Sequence, residues 1–219
     1  MLELKQIYSG IVKNASLKLA DSGCLALSGP SGSGKTTLLN VIAGNRPYYG
    51  EVFYQGASID NIAPWKRGFR YLNQRLYLFP HLSVDGNLAL AQYAAGKKRD
   101  KAERQKLLAE FGIERLASRK PCFISGGEQQ RAALARSLIG NPKLLLLDEP
   151  FSNLDNELKA RLWSKIVKIK KIIPVILVSH DTNEISALAD ALVYMKDGEL
   201  KDAVKENQKN NRTPLIAAS

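Results

Sequence analysis

A glycine-rich segment of this chain has the composition of a loop that binds phosphate. Its residues match the pattern G-x-x-x-x-G-K-[ST] and are Gly29, Pro30, Ser31, Gly32, Ser33, Gly34, Lys35 and Thr36. Glycines allow several backbone N–H groups to approach one phosphate, and the helix expected from Gly34 onward directs its positive end at the anion. The pattern predicts that Lys35 contacts the β and γ phosphates of a nucleotide, that Thr36 binds Mg²⁺, and that Thr37 contacts the α phosphate. A glycine turn without a ligand is the alternative.

Two carboxylates follow a run of four leucines, where a buried strand is expected to end. Asp148 closes the predicted strand Leu144–Asp148, and Glu149 comes directly after it. Ligand sites of parallel sheets form at the carboxyl ends of the strands, which is where a phosphate loop also lies. We expect Asp148 to hold Mg²⁺ from its outer coordination sphere and Glu149 to orient or deprotonate the attacking water. Acidic turn residues often end apolar strands, and only the phosphate loop favours catalysis here.

The elements that position these residues can be predicted from periodicity and punctuation. Short apolar runs suit strands buried on both faces of a parallel sheet, at 24–28, 144–148, 175–179 and 191–195. Further strands are expected at 2–8, 51–54 and 69–73, helices at 85–95, 100–111 and 128–139, and an amphipathic helix at 157–171. This pattern predicts an α/β fold with a mostly parallel sheet and an inserted helical subdomain. With the phosphate loop, the fold we expect is a P-loop NTPase core that also has a small antiparallel β subdomain.

The expected domain is single and covers residues 1–219. Segments 1–74 and 139–205 are expected to form the nucleotide-binding α/β core, and 75–138 to form the helical subdomain. Residues 206–219 form a polar tail, and we expect little contribution to the core from Leu200 onward.

Composition and charge restrict the class of protein. The 219 residues are 45% hydrophobic, with 16 Gly, 9 Pro and 2 Cys, which excludes collagen-like, disordered and disulfide-framework proteins. No run of apolar residues is long enough for a spanning helix, so we expect a soluble chain. The net charge of +11 is concentrated at 97–106 and 159–171. These stretches fit solvated helix faces, a surface near a membrane, or a surface that binds nucleic acid.

The segment 124–131, ISGGEQQR, resembles the signature of ATP-binding cassette (ABC) transporters, and the resemblance covers nearly the whole chain. Ile replaces the usual Leu, and Glu the usual Gln. The resemblance implies that Ser125, Gly126, Gly127 and Glu128 contact the γ-phosphate of ATP held by the opposite subunit. The residues alone also fit a capping box, in which Ser125 and Glu128 begin a helix; such a helix start is also an anion site.

Four further residues resemble functional positions of that family, and three of them have a clear local alternative. Gln74 resembles the glutamine that contacts Mg²⁺ and the attacking water, although a lone Gln is usually a turn residue. Asp155, in the segment SNLD, resembles the loop aspartate that crosses the dimer interface in the family. The local alternative is that Asp155 caps the helix that follows it. His180 resembles the histidine that contacts the γ-phosphate. Tyr8 resembles the aromatic residue that stacks on adenine, or is a half-buried strand tyrosine.

The resemblance also implies the chemistry and the partners. Glu149, His180 and Gln74 would be catalytic, and Thr36, Gln74 and Asp148 would hold Mg²⁺. ATP and Mg²⁺ would be the cofactors. Two ATP would lie between two subunits, in a homodimer or a pseudo-dimer with a related cassette. Hydrolysis would drive an integral membrane permease that works with a substrate-binding protein. We expect a peripheral protein on the cytoplasmic face of the inner membrane and no nucleic-acid partner.

The segment 74–84, QRLYLFPHLSV, resembles a stretch of importer subunits for thiamine, molybdate, sulfate, polyamines, ferric iron and sugars. Its apolar residues are Leu76, Tyr77, Leu78, Phe79 and Leu82. They are candidates for a groove that binds the permease. The alternative is that they pack between the α/β core and the helical subdomain. Many such subunits carry a C-terminal regulatory domain for which a chain ending at Ser219 has no room. We therefore expect an importer of the thiamine or molybdate type. The alternatives are an export or release system and a soluble cassette ATPase acting on nucleic acid or ribosomes.

Overall fold

Six strands form the sheet on which the phosphate loop is carried. The computed structural model describes residues 1–98, 100–152 and 154–201. The strands of the described residues are β1 Leu2–Ser9, β2 Val12–Leu19, β3 Gly23–Ser28, β4 Tyr49–Tyr54, β5 Ala57–Ser58, β6 Phe69–Leu72, β7 Leu144–Asp148, β8 Pro174–Val178, β9 Ala191–Lys196 and β10 Glu199–Lys201. The α-helices are α1 Lys35–Ala43, α2 Val84–Ala94, α3 Lys101–Glu110, α4 Gly126–Leu138, α5 Asn156–Ile169 and α6 Thr182–Leu188.

The larger sheet has the order β10-β9-β3-β8-β7-β6. Four of its five strand pairs are parallel, and only β9 and β10 run antiparallel. Parallel strands end at a common edge, so the segments after β3, β6, β7 and β8 all reach that edge. The predicted mostly parallel sheet is therefore confirmed, and it brings the phosphate loop and the acidic segment to the same side.

A second sheet is antiparallel, with the order β2-β1-β4-β5. Sequence reasoning found β1 and β4 but missed β2, because Lys13 and Asn14 interrupt its apolar residues. Asn14 also has a positive φ of 47°. The inward side chains of β2 are nevertheless buried, from Val12 through Leu19. The small antiparallel subdomain of the predicted fold is confirmed.

The leucine run of β7 is apolar throughout because both faces of this strand are covered. Leu144 and Leu146 belong to the core cluster shared with α1 and the antiparallel sheet. Leu145 and Leu147 belong to the cluster formed with the helices on the opposite face. Successive side chains of a strand point to opposite faces, so an unbroken apolar run requires two covering layers.

Side-chain caps fix where the helices begin. Ser83, Asp100, Ser125, Asp155 and Asp181 each accept a hydrogen bond from a backbone N–H in the first turn of the following helix. Such caps satisfy donors that the helix itself leaves open. The predicted helices were confirmed with bounds that differ by one or two residues, whereas α6 was missed.

The basic stretch of α5 is largely engaged inside the chain. Three of its lysines form ion pairs with other elements: Lys159 with Asp181 and Glu184, Lys165 with Glu110, and Lys170 with Asp190. The other basic stretch includes Arg104, which is buried and pairs with Asp85 of α2 at 2.7 Å. Both stretches thus contribute to packing between helices, while Arg161, Lys168 and Lys171 are exposed as a solvated helix face would have them.

The expectation that the core receives little from Leu200 onward was wrong for Leu200 itself. This residue lies in β10, and its side chain packs against the buried cluster on the α1 side. The short β9–β10 hairpin adds an edge strand that the polar composition concealed. The polar tail 206–219 lies outside the described residues. Within the part of the chain that the structure describes, no helix is long and apolar enough to span a membrane.

The two-sided burial of β7 predicts a large cost for a cavity there. We expect Leu146→Ala to lower the free energy of unfolding by about 2–5 kcal/mol, because Leu146 is fully buried and its neighbours are held by the sheet. Ile172→Ala is the control, since Ile172 is 78% exposed and a surface change costs within about 0.5 kcal/mol. Guanidinium unfolding of both variants measures the difference, and equal costs would contradict this description of the core.

Candidate active site

The phosphate loop connects β3 to α1 and passes close beside β9. Gly29 has a φ of 141°, and a Cβ on it would lie 2.0 Å from the backbone oxygen of Met195. Gly34 precedes α1 with a φ of 111°. Only glycine tolerates both the conformation and the close approach, so the loop is shaped by its own backbone. The α1 N-terminus follows directly, as the pattern predicted.

Lys35 reaches back over this loop. Its Nζ donates hydrogen bonds to the backbone oxygens of Gly29 at 2.7 Å and Pro30 at 2.8 Å. Burial lowers the pKa of Lys35, while the negative charges of Glu149 and Asp148 oppose that change. The ammonium group therefore lies between the loop and the two carboxylates, where a polyphosphate chain would meet it.

Asp148 is the buried carboxylate of the site, with 3% of its surface exposed. Its Oδ2 accepts hydrogen bonds from the Thr36 hydroxyl at 2.8 Å and from the Tyr71 hydroxyl at 3.2 Å. Burial raises the pKa of Asp148, although the Thr36 and Tyr71 bonds act in the opposite direction. The hydrogen bond between Thr36 and Asp148 thus joins the start of α1 to the end of β7, although the two residues are 112 positions apart in sequence.

Tyr71 is a site residue that the sequence reasoning missed. It lies on β6 opposite Leu146 of β7, and Asn73 Nδ2 donates to its hydroxyl oxygen at 3.2 Å. Burial, followed by the charge of Asp148, raises the pKa of this phenol, so Tyr71 stays a neutral donor. Only the register between β6 and β7 puts it beside Asp148, and the sequence carries no signal for that register.

The Thr36 and Asp148 pair fits a Mg²⁺ ion that is held mainly by phosphate oxygens. A hydroxyl and a carboxylate meet beside the loop, and both are oxygen ligands of the kind Mg²⁺ prefers. Across the described ranges, no group of three or more His, Cys, Asp or Glu residues could form a cage for a metal. Magnesium in nucleotide sites needs only one or two protein ligands, so the residues present are sufficient.

Glu149 lies in a strained turn immediately after β7. Its φ is +51°, a conformation that costs a non-glycine residue about 1–3 kcal/mol. Two contacts hold the turn: the Glu149 N–H donates to the Val178 oxygen at 3.0 Å, and the Gln130 amide donates to the Pro150 oxygen at 2.7 Å. Sequence reasoning missed Gln130. Glu149 Oε1 lies 3.0 Å from Nδ1 of His180, so two predicted catalytic residues are in contact.

The predicted signature residues form the capping box. Ser125 Oγ accepts from the Glu128 N–H at 3.3 Å, and Glu128 Oε2 accepts from the Ser125 N–H at 2.9 Å. Hydrogen bonds from Ser125 lower the pKa of the Glu128 carboxyl. Among the described residues, no hydrogen bond or ion pair joins 125–128 to the phosphate loop 29–36 of the same chain. The local alternative is confirmed, and it leaves the anion-binding role open.

The remaining predicted residues lie where their local alternatives put them. Gln74 is exposed in a turn just after β6, and Asp155 caps α5 by accepting from the Leu158 N–H at 2.9 Å. Asn153 lies outside the described residues. Tyr8, 47% exposed, pairs on β1 with the more exposed Tyr49 of β4.

Comparison with known proteins decides the family. Residues 12–152, which are more than half of the chain, match the family model described as ABC transporter. The chain belongs to the ABC transporter family. It carries the ATP-binding cassette of that family, an ATPase domain with a P-loop NTPase fold. The family prediction made from the signature segment is therefore confirmed.

Curated relatives of this cassette are named as import proteins. It is 40% identical over 195 residues to the molybdenum import ATP-binding protein ModC of Rhizobium meliloti, covering 85% of this chain and 55% of that protein. It is 38% identical over 213 residues to the spermidine/putrescine import ATP-binding protein PotA of Legionella pneumophila, covering 92% and 58%. The chain thus spans somewhat more than half the length of these relatives.

Solved structures confirm the cassette fold. The dimeric bacterial ABC transporter cassette MJ0796 superposes with a TM-score of 0.85 at 28% identity, covering 94% of this chain and 98% of that one. A second structure of MJ0796, a dimer in a post-hydrolysis state bound to ADP and Pi, matches equally well.

Asp148→Asn should separate stability from nucleotide binding. Because the folded-state pKa of Asp148 lies above its unfolded value, the carboxyl favours folding while protonated, and that contribution is lost as pH rises through the folded pKa. Asparagine is neutral and keeps an acceptor for Thr36. We expect its midpoint of thermal unfolding at neutral pH to equal or exceed that of the wild type, while affinity for ATP with Mg²⁺ falls about 10–100-fold.

Asp60→Asn is the control, because the pKa of Asp60 is lowered in the folded protein whereas that of Asp148 is raised. Burial alone would raise the pKa of Asp60, but hydrogen bonds from Tyr48, Ser58 and the Val52 N–H outweigh it and lower the pKa. We expect this variant to lose stability at neutral pH and to keep its ATP affinity. Thermal unfolding and titration with ATP measure both properties. A wild-type ATP affinity in Asp148→Asn would contradict the proposed site.

Proposed function

We propose that this chain is the ATP-hydrolysing subunit of an importer, in which two cassettes bind two ATP and drive a separate membrane permease. The observation that carries the proposal is the set of relatives at 37–40% identity over most of this chain, all of them named as import proteins. Their names differ in cargo, which includes molybdenum, spermidine or putrescine, Fe(3+) and 2-aminoethylphosphonate. The shared property is uptake, so we assign uptake to this chain as well.

The phosphate-binding roles follow from the loop and its contacts. Backbone N–H groups of the loop 29–34 other than Pro30, which has none, and of the α1 start bind the phosphates. Lys35 exchanges its contacts with Gly29 and Pro30 for phosphate oxygens. Thr37 contacts the α phosphate, and Tyr8 stacks on the adenine. Thr36, Asp148 and Gln74 hold Mg²⁺, which when bound neutralises charge on the phosphates.

The catalytic roles are assigned to residues beside the γ-phosphate position. Glu149 orients the attacking water and accepts its proton, since it is the carboxylate at the end of β7 that is not bonded to Thr36. His180, 3.0 Å from Glu149 Oε1, holds that carboxylate and contacts the γ-phosphate. Gln74 orients the water from the other side. Phosphoryl transfer requires mainly such positioning and charge stabilisation.

A second cassette completes each site in this proposal. The capping box leaves backbone N–H groups at the α4 start, and a Cβ on Gly126 would meet no atom of the described residues within 4 Å. Nothing in the described part of the chain therefore requires glycine there. A glycine at this position leaves room for a phosphate of the partner's ATP to approach the helix N-terminus closely. Ser125, Gly126, Gly127 and Glu128 take this role, and Asp155 lies at the interface between the cassettes.

The partners and location are proposed on the same basis. A permease binds the apolar segment 76–82, in which Tyr77 is 61% and Phe79 44% exposed, and a substrate-binding protein supplies the cargo. The cassette is then peripheral on the cytoplasmic face of the inner membrane. Residues 75–138 act as the helical subdomain between core segments 1–74 and 139–201; positions 202–205 of the expected core segment lie outside the described residues. Thiamine and molybdate remain the proposed cargoes.

Capture of the permease tests the proposed function. Tagged Glu149→Gln, purified with ATP from detergent-solubilised membranes, should bring down a polytopic membrane protein identified by mass spectrometry. A permease encoded with a substrate-binding protein supports uptake and narrows the cargo. An exporter would contradict import, and recovery of ribosomes or nucleic acid without a membrane protein would contradict transport altogether. Lys35→Ala with the same tag controls for capture that does not depend on ATP.

Gly126→Asp tests the signature role separately from stability. A carboxylate at the first turn of α4 favours the helix by about 0.3–1 kcal/mol, and the added Cβ would meet no atom of the described residues within 4 Å. We expect unchanged or higher stability, but ATP-driven dimerisation should be lost because the carboxylate repels the partner's phosphate. Ala102→Asp, which adds the same charge to the first turn of α3, should dimerise normally. Light scattering with ATP compares the two, and dimerisation of Gly126→Asp would refute the role.

A further inference from the structure

Two consecutive residues after Gln74 have left-handed backbone conformations. Leu76 has a φ of 61° and Tyr77 a φ of 43°, values that side-chain-bearing residues rarely adopt. Local bonds close the turn, since the Leu76 N–H donates to Asn73 O at 2.8 Å and the Tyr77 N–H to Arg75 O at 2.7 Å. Such strain persists only where surrounding contacts hold the backbone in place. A holding contact from outside the turn is therefore expected.

Arg136 of α4 supplies that contact. Its Nη1 donates to the Tyr77 oxygen at 2.6 Å and its Nη2 to the Leu76 oxygen at 2.7 Å, so one guanidinium group binds both strained residues. The same group lies 5.8 Å from the ring centre of Phe79. Burial, followed by the nearby charge of Arg70, lowers the pKa of Arg136. A planar fork with fixed donors matches two adjacent carbonyls in a way that lysine does not.

Arg136 lies on the same helix as the signature residues, so its contact connects them to the turn Leu76–Tyr77. The helix begins at the signature residue Gly126, and its Gln130 binds the oxygen of Pro150 in the turn after Glu149. One rigid element therefore contacts the backbone of both turns that carry proposed catalytic residues. A helix of 13 residues moves as a unit, so displacement of its start reaches Arg136. Leu76 and Tyr77 are also the first residues of the segment 76–82 proposed for the permease.

We propose that Arg136 is a positioning residue that clamps the turn Leu76–Tyr77 and thereby couples the signature helix to Gln74. The proposal rests on the assignment of Gln74 and the signature residues made above. When a partner's ATP engages the start of α4, Arg136 carries the displacement to the turn and aligns Gln74 with the γ-phosphate. Arg136 itself touches neither nucleotide nor water.

Hydrogen exchange and steady-state kinetics of the full chain test the clamp. In Arg136→Met, the amides of Leu76, Tyr77 and Phe79 should exchange at least about tenfold faster, because their turn has lost its external contact. We expect kcat for ATP to fall about tenfold or more while KM changes less than about twofold, since misplacement affects chemistry more than binding by the phosphate loop. Arg136→Lys, with one compact donor group, should give intermediate values and guards against misfolding of the first variant.

Arg70→Met is the matched control. Arg70 is a half-buried arginine in the same region, but it donates to the oxygens of Phe69 and Ala91. Its loss should leave exchange at 76–79 unchanged. Tyr77→Asn added to Arg136→Met should restore part of kcat, because asparagine adopts positive φ more readily than tyrosine.

The outcomes distinguish this proposal from the proposed function. Wild-type exchange at 76–79 together with wild-type kcat in both Arg136 variants would overturn the clamp while leaving the transport ATPase assignment intact. Increased exchange that extends equally over the whole of α4 would also overturn it, since Arg136 would then be a general packing residue. If the wild-type chain binds no ATP, the proposed function fails, and the exchange data still decide whether Arg136 holds the turn.

Discussion

The hydrogen bond between the Thr36 hydroxyl and the Asp148 carboxylate is the interaction on which the rest of the site depends. It joins the phosphate loop to the end of β7, although β8 separates β7 from β3 in the sheet. Burying this carboxylate is unfavourable, as its raised pKa shows. The protein accepts that cost only because donors from Thr36 and Tyr71 compensate part of it. Two apolar layers around β7 hold the carboxylate in this position.

Two strained turns lie near the same edge of the sheet. Glu149 and the pair Leu76–Tyr77 have positive φ, and each turn is held by a side chain of α4, Gln130 in one case and Arg136 in the other. Strain of this kind is typical of segments that change conformation during a reaction cycle. The helix that begins with the signature is therefore the element through which a partner cassette would act on the reacting groups.

Local patterns predicted most of the fold, and contacts between distant segments were beyond their reach. The phosphate loop, the leucine strand and the capped helices were predictable because each depends on neighbouring residues. Tyr71, Gln130 and Arg136 were not, since their partners are fixed by strand register and helix packing. Polar neighbours in the sequence concealed two further features. Asn14 lies in the strand β2, which was missed, and Leu200 makes a core contact that was not expected. The roles assigned to Gln74 and to the signature rest on resemblance, since within the described residues no hydrogen bond or ion pair joins either of them to the phosphate loop.

The central claim is that one chain carries half of each ATP site and that a second copy completes it. Sedimentation of Glu149→Gln at increasing ATP with Mg²⁺ tests this most directly, because slow hydrolysis preserves the closed state. The account predicts a mass of 24.2 kDa without nucleotide and about twice that mass at saturating ATP. A mass that stays at 24.2 kDa when ATP binding is independently demonstrated would contradict the claim.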